Sequence, residues 1–201
     1  MRILLIGATG TIGSAVRSEL SQRHEVIAAG SGRRQADVTV DMASADSIAA
    51  MYSAVGKVDA VVSTAGHTYF GPLQELTPER NELSVLGKLK GQINLVLLGM
   101  PYVNDGGSFT LTTGILMDDP VAGGASAAMA GGAVQAFVRS AALEMPRGIR
   151  INNVSPNVVQ ESIETYGPYF AGFEPVPLSR VTLAYRKSVE GAQTGQTYKV
   201  Y

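Results

Sequence analysis

Short apolar runs alternate along the chain with longer stretches whose apolar residues recur at helical spacing. The apolar runs predict strands over residues 3–6, 25–29, 36–40, 59–63, 107–112, 150–154 and 195–201. The helical stretches predict helices over residues 14–20, 44–52, 77–99, 124–144 and 179–189. The helix beginning after Thr77 has the clearest start, since Thr is a favoured N-cap and Pro78 suits the first helical position.

The order of these elements predicts the fold class. Strands that alternate with helices form a parallel sheet covered by helices on both faces, which is a doubly wound α/β domain. Residues 1–201 are expected to form one such domain with seven strands. The connection between the second and third strands has only five or six residues, so we expect a loop over the sheet edge instead of a helix.

Three glycines separate the first strand from the first helix. Gly7 permits a tight turn, Gly10 lets the backbone approach a pyrophosphate, and Gly13 lets the helix pack closely on the strand. The N–H groups at the start of such a helix point at the phosphates. A glycine-rich turn with a purely structural role is the alternative. The combination of strand, turn and helix favours dinucleotide binding.

Composition and charge narrow the class of protein. The net charge is −1 and no basic block occurs, so the sequence gives no indication of binding to nucleic acid or to an anionic membrane. The absence of cysteine excludes disulfides and thiolate metal sites, and we expect no metal ligation. The first strand follows Met1 directly, leaving no room for a signal peptide, so we expect a cytoplasmic protein.

Several segments in their order along the chain resemble the short-chain dehydrogenase/reductase family. The matching segments are Gly7-Ala8-Thr9-Gly10-Thr11-Ile12-Gly13, Asp41-Met42, Ser63-Thr64-Ala65-Gly66, Gly107-Ser108-Phe109, residues 137–144, Ile151-Asn152-Asn153-Val154-Ser155-Pro156 and Thr194-Gly195-Gln196. This resemblance covers nearly the whole chain and implies a Rossmann-like fold. It also implies a nicotinamide cofactor, a small-molecule substrate and self-association as a dimer or tetramer.

The resemblance implies a role for each matching cofactor residue. Those expected at the pyrophosphate are Gly7, Thr9, Gly10, Thr11, Ile12 and Gly13. Asp41 is expected to accept from the adenine amino group, with Met42 against the ring. Ser63, Ala65 and Gly66 are expected along the ribose and nicotinamide. For Asp41 the alternative is an acid favoured by a helix dipole, and both roles are compatible.

The residues after the second strand favour NADP over NAD. An acid at the end of that strand would bind the ribose 2′-OH of NAD, but none stands there. Ser31 and Arg33, with Arg34 beside them, are suited to a 2′-phosphate, because a guanidinium binds phosphate through two hydrogen bonds. Two solvated loop arginines are the alternative.

The catalytic residues that the resemblance implies are missing. The family uses a Tyr as acid and base, a Lys four residues later, a Ser that orients the carbonyl and an Asn on the preceding helix. These positions fall on Ala127, Gly131, Gly114 and Lys88 in this chain. No tyrosine lies between Tyr102 and Tyr166, so a shift of a few residues does not restore the pattern.

Lys88 and Thr113 are the candidate replacements, Lys88 as a cation near developing charge and Thr113 as a hydroxyl donor. A solvated helix lysine and an ordinary threonine at a strand end are the alternatives. His67 is a further candidate but is more typical of a surface loop, and Tyr166 and Tyr169 are more typical of packing aromatics.

Two function classes follow. The first is an NADP-dependent oxidoreductase, or a lyase or isomerase descended from one, with a rearranged site. The second is a cofactor-binding sensor, scaffold or partner subunit without redox turnover. We also expect self-association through residues 83–98 and 124–144, where small residues and few charges allow close approach.

Overall fold

A seven-stranded parallel sheet forms the centre of the protein, and a computed structural model describes residues 1–32 and 35–201 of the chain. The strand order is β3-β2-β1-β4-β5-β6-β7. The strands are β1 (Arg2–Ile6), β2 (Glu25–Gly30), β3 (Val38–Thr39), β4 (Val58–Ser63), β5 (Val103–Thr112), β6 (Arg150–Pro156) and β7 (Thr197–Val200). The predicted doubly wound, Rossmann-like α/β fold is confirmed.

Helices cover both faces of this sheet. They are α1 (Thr11–Ser21), α2 (Ala45–Val55), α3 (Pro78–Ser84), α4 (Gly91–Gly99), α5 (Ala125–Ala141), α6 (Ile163–Tyr166) and α7 (Leu178–Glu190). A π-helical segment, Val85–Lys90, joins α3 to α4. Short 3-10 turns occur at Leu73–Glu75, Ile115–Met117, Pro146–Gly148, Gln160–Ser162 and Gly167–Tyr169.

Strand β1 shows why both faces must be covered. Its side chains alternate between the two faces, and from Ile3 to Ile6 all of them are buried. Leu4 and Ile6 belong to the core that includes side chains of α2, α4 and α5. Ile3 and Leu5 belong to the core on the other face, which includes side chains of α1 and α7. A continuous apolar run is therefore what this central strand requires.

Helix α1 packs closely on the end of β1 because two glycines meet there. A Cβ atom on Gly13 would lie 1.9 Å from the carbonyl oxygen of Gly7 and 2.7 Å from Oγ1 of Thr64. Gly7 itself has φ +79°, in the left-handed region that favours glycine. These contacts place the N-terminus of α1 directly beyond the carboxyl end of β1.

Several predicted elements differ from the structure, and two of these differences are that β5 begins at Val103 instead of residue 107 and that α1 begins at Thr11 instead of residue 14. The third strand, predicted over residues 36–40, is shortened to Val38–Thr39, because the side chain of Asp37 binds Ala28 N–H and so replaces a ladder bond at that position. It pairs parallel to β2, and the described residues between the two strands form no helix, as predicted. The single helix predicted over residues 77–99 is interrupted by the π segment.

The helices for which we predict self-association carry exposed apolar side chains, among them Leu83, Leu97 and Met129. Leu143, just beyond α5, is 89% exposed. Within the described part of the chain, no helix combines the length and apolar character that crossing a bilayer requires.

Two glycine-to-alanine changes should have opposite effects on stability. Gly13→Ala should lower the free energy of unfolding by about 2–3 kcal/mol, because the new methyl group overlaps the Gly7 carbonyl. Gly132→Ala should raise it by about 0.5–1 kcal/mol, since alanine is the better helix former. At Gly132 the nearest atom to a new Cβ is the Cβ of Met117, 4.0 Å away. Urea denaturation of both variants checks the pair, and similar effects would contradict the packing described for Gly13.

Candidate functional site

A groove of about 950 Å³ lies at the carboxyl ends of β1, β2 and β4. This is the edge of an open parallel sheet where ligands ordinarily bind. The residues along it are Ile6, Gly7, Thr9, Gly10, Gly30, Ser31, Thr39, Val40, Asp41, Met42, Ala43, Ser47, Thr64, Ala65, Gly66, His67, Leu83, Leu86 and Gly87.

The N-terminus of α1 opens on this groove without a side-chain cap. Its N-cap is Gly10, and its first turn contains no acidic residue. By contrast, Ser44 caps α2 and Thr77 caps α3 through their side chains. The first N–H groups of a helix have no partner within it, so those of α1 are suited to an anion such as a pyrophosphate. The groove therefore fits a dinucleotide at this end.

Most of the predicted cofactor residues line the groove. These are Gly7, Thr9, Gly10, Ser31, Asp41, Met42, Ala65 and Gly66. Ile12 lines an adjoining cavity instead, and Thr11 is the exposed first residue of α1. Gly13 packs against Gly7, and Ser63 is fully buried. Arg33 and Arg34 lie outside the described residues.

Asp41 is the one acidic residue along the described part of the groove. Its carboxylate accepts a hydrogen bond of 2.9 Å from Ala43 N–H, which fixes it at the turn before α2. The described end of β2 thus presents Gly30 and Ser31, with no carboxylate positioned for a ribose 2′-OH.

A second cavity of about 230 Å³ adjoins the groove, sharing Thr64, Ala65 and Gly66 with it. Its walls are mainly apolar and aromatic. The remaining lining residues are Ile12, Thr68, Phe70, Lys88, Thr112, Thr113, Gly114, Ile115, Leu116, Ala127, Pro156, Asn157, Val158, Val159, Ser162, Tyr166 and Phe170. Predicted catalytic residues Lys88 and Thr113 are thus brought together here.

Lys88 enters this cavity from the π segment. Its Nζ donates a hydrogen bond of 3.0 Å to the main-chain carbonyl of Thr113. A Cβ on Gly66 would lie 3.0 Å from Cγ of Lys88, so glycine at that position leaves space for the lysine stem. Burial lowers the pKa of Lys88 from its ordinary 10.5 to about 8, because desolvation disfavours the charged amine.

Gln92, on the first turn of α4, holds this part of the helix against β5. Its buried amide accepts from Thr112 N–H at 2.7 Å and donates to the Thr112 carbonyl at 2.8 Å. Both hydrogen bonds go to the backbone of the residue before Thr113. The Gln92 amide therefore joins the helical region that carries Lys88 to the end of β5, next to the Thr113 carbonyl that Lys88 contacts.

The hydroxyl of Thr113 is engaged within the core. It donates to the Val154 carbonyl at 3.3 Å and accepts from Nδ2 of Asn153 at 2.9 Å. Thr113 lines the cavity but is only 3% exposed. Thr113 therefore positions the amine through its main-chain carbonyl, which accepts the hydrogen bond from Lys88.

Small residues stand where the family places its catalytic groups. Ala127 and Gly114 line the cavity. A Cβ on Gly131 would find its nearest neighbours, Cβ of Thr113 and of Met117, 3.9 Å away. His67 lies along the cofactor groove, away from the second cavity. Lys88 is therefore the one ionisable side chain, apart from the phenol of Tyr166, that lines the described cavity.

Several residues of the site escaped prediction from the sequence. The aromatic walls of the cavity include Phe70 and Phe170, and Phe70 contacts Tyr166 and Tyr169 with ring centroids 5.6 and 5.4 Å apart. Gln92 and Asn153 position the residues around Lys88. A glutamine within an apolar helix face indicates a buried polar contact, so Gln92 could have been predicted. No neighbouring residue in the sequence indicates that Phe70 lies at the site.

Comparison with known proteins shows the family of the chain. Residues 9–176 match a family model described as Enoyl-(Acyl carrier protein) reductase. The chain belongs to the short-chain dehydrogenase/reductase family. Among curated proteins, none matches it.

Solved structures of similar proteins extend the comparison. The chain is 61% identical to the protein lin1944 from Listeria innocua, with a TM-score of 0.98 and complete coverage of both chains. A small-chain dehydrogenase in complex with NADPH is 22% identical, with a TM-score of 0.85 and coverage of 100% of this chain and 96% of that one. A short-chain dehydrogenase from Mycobacterium smegmatis is 21% identical, with a TM-score of 0.83 and coverage of 100% and 91%. The last two share the fold.

Removing the Lys88 amine should stabilise the protein in a pH-dependent manner. Because the folded pKa is about 8 and the ordinary value is 10.5, the cost of burying the charge is fully present below pH 8. It is lost as the pH rises to 10.5. Lys88→Met should therefore raise the free energy of unfolding at pH 7 by about 1–3 kcal/mol, with a smaller gain at higher pH.

Urea denaturation at several pH values measures this effect. Lys90→Met is the matched control, since Lys90 is exposed on the same π segment and should show no such pH dependence. Equal effects of the two substitutions would contradict the burial of the Lys88 amine.

Proposed function

We propose that this protein is an NADP(H)-dependent oxidoreductase for a small carbonyl substrate, with Lys88 in place of the usual tyrosine acid. The observation that carries the proposal is the Lys88 amine in a cavity that adjoins the dinucleotide groove. The family contributes the reaction class.

The groove supports specific positions for the cofactor. Gly10 and the uncapped start of α1 would hold the pyrophosphate, and Asp41 with Met42 would flank the adenine. Ser31, together with Arg33, would bind the 2′-phosphate, since no carboxylate competes at the described end of β2. Ala65 and Gly66, which line both cavities, would adjoin the nicotinamide.

Lys88 can supply the proton that carbonyl reduction requires. When bound, the nicotinamide cofactor supplies the hydride. The carbonyl oxygen gains negative charge during reduction and needs a nearby donor. The Lys88 ammonium donates a hydrogen bond to that oxygen and then its proton. The Thr113 carbonyl keeps the amine in place throughout. Below pH 8 the amine is mainly protonated, as an acid must be.

Cofactor preference is the first test of this proposal. NADPH should bind more tightly than NADH, and Arg33→Ala should weaken NADPH alone by about tenfold or more, because a charged hydrogen bond to phosphate is lost. Calorimetric titration measures both affinities. Arg23→Ala is the control, since Arg23 contacts Glu19 on the surface. Equal affinities for the two cofactors would refute NADP selectivity.

Turnover with NADPH is the second test. Lys88→Met should lower carbonyl reduction by about 100-fold or more, the usual contribution of general acid catalysis, while the NADPH affinity stays unchanged. Lys90→Met should leave the rate unchanged. In the wild type, the reduction rate should decline above a pH of about 8 as Lys88 loses its proton.

The same assay separates the two function classes. Turnover that survives Lys88→Met would overturn the role of Lys88. Tight NADPH binding without turnover of any carbonyl compound would instead favour a cofactor-binding sensor or scaffold. The specific observation behind that second candidate is that Ala127 and Gly131 carry no acidic or basic group.

A further inference from the structure

The charge in the second cavity is unbalanced. Lys88 is the one charged side chain among its described lining residues. None of the ion pairs formed by the described residues includes Lys88. Lys88 is partly buried, and an ammonium withdrawn from water without a counter-ion is costly, so a bound anion would be favoured there.

The hydrogen bonds of Lys88 leave room for two acceptors. An ammonium has three donors, and one of them is used by the Thr113 carbonyl. Two N–H groups therefore remain for a ligand. Two oxygens on adjacent carbon atoms are close enough together to accept from one ammonium at the same time.

Some of the other polar groups around the cavity are already engaged. The hydroxyl of Thr64 donates to the Ile6 carbonyl, and that of Thr112 donates to the Ser63 carbonyl. The amide of Asn157 contacts the Glu174 carbonyl and Val158 N–H. The hydroxyls of Thr68, Ser162 and Tyr166 also line the cavity, so Lys88 is the charged group among those left to orient a polar ligand.

The size and the lining of the cavity limit the size and the character of the rest of the ligand. Its volume of about 230 Å³ is below the roughly 300–1,000 Å³ typical of sites for drug-sized molecules. Phe70, Tyr166 and Phe170 provide aromatic surface, and Ile115 and Leu116 provide aliphatic surface. A compact apolar or aromatic body is complementary to these walls.

We propose that the second cavity binds a small apolar α-oxo acid, with one carboxylate oxygen and the keto oxygen both accepting hydrogen bonds from Lys88. An α-oxo acid combines the missing negative charge, two adjacent oxygens and an apolar side chain. The assignment of this ligand as the substrate rests on the proposed function, whereas its binding does not require turnover.

Three probes separate the contributions of the charge and of the keto oxygen. Benzoylformate carries both, benzoylformamide lacks the charge, and phenylacetate lacks the keto oxygen. Each is titrated by calorimetry into the full chain, alone and with saturating NADP⁺, a form of the cofactor that cannot reduce the probe. The affinity for benzoylformate should be at least about tenfold higher than that for benzoylformamide, and several-fold higher than that for phenylacetate.

Variants connect this selectivity to Lys88. Lys88→Met should abolish the preference for benzoylformate over its amide, and Lys90→Met should preserve it. In the wild type, the affinity for benzoylformate should fall as the pH rises through about 8, while that for benzoylformamide should not. Binding at pH 8.5 should also take up protons, seen as a heat that depends on the buffer. These wild-type measurements decide the question even where Lys88→Met fails to fold.

Equal binding of benzoylformate and its amide by the wild type would overturn the proposal, as would unchanged selectivity in a folded Lys88→Met variant. Failure of the proposed function has a different signature. Selective, Lys88-dependent binding of benzoylformate without its reduction by NADPH would leave the binding site in place and refute the oxidoreductase.

Discussion

The close approach of two backbones at Gly7 and Gly13 is the contact on which the ligand-binding edge depends. A side chain at Gly13 would meet the Gly7 carbonyl, so α1 can begin at the end of β1 only because that side chain is absent. Parallel pairing of β1 with β2 and β4 then brings the carboxyl ends of three strands to one edge. The groove is a consequence of this packing, and the uncapped start of α1 gives it a preference for anions.

The second cavity depends on a destabilising group, the Lys88 amine, which the fold keeps next to the groove. Replacing a partly buried amine by an apolar side chain removes the cost of desolvating its charge, so a lysine at this position without an acidic partner lowers the stability of the fold. The surrounding structure nevertheless holds Lys88 through the Thr113 carbonyl, and Gln92 fixes the same region of β5. Local instability of this kind is typical of sites maintained for function.

The order of strands and helices along the chain, the glycine turn and most of the cofactor residues now seen at the groove could be predicted from the sequence, because each has a local signature in spacing or residue type. The length of β3 was overestimated, since apolar content near Ala36 does not reveal that Asp37 takes a ladder position with its side chain. The π segment was missed because its residues fit an ordinary helical period. Phe70 and Phe170 were missed because loops far apart in the chain bring them together, and loop paths have no such local period. Lys88 was found through the family pattern, although its burial became evident only in three dimensions.

The position of the cavity's cation depends on the number of residues in the π segment. A π turn holds more residues than the α-helical turn that it replaces, and each residue of an α-helix turns the chain by about 100°. Leu89 and Lys90 of the segment lie between Lys88 and Gln92, and deleting one of them would rotate Lys88 by about 100° relative to Gln92. With Gln92 still bound to Thr112, a lysine in the segment would then point away from the cavity. A relative that keeps this lysine but lacks one residue between it and the glutamine would have no cation in its cavity. The spacing from Lys88 to Gln92 is therefore as informative as the lysine itself.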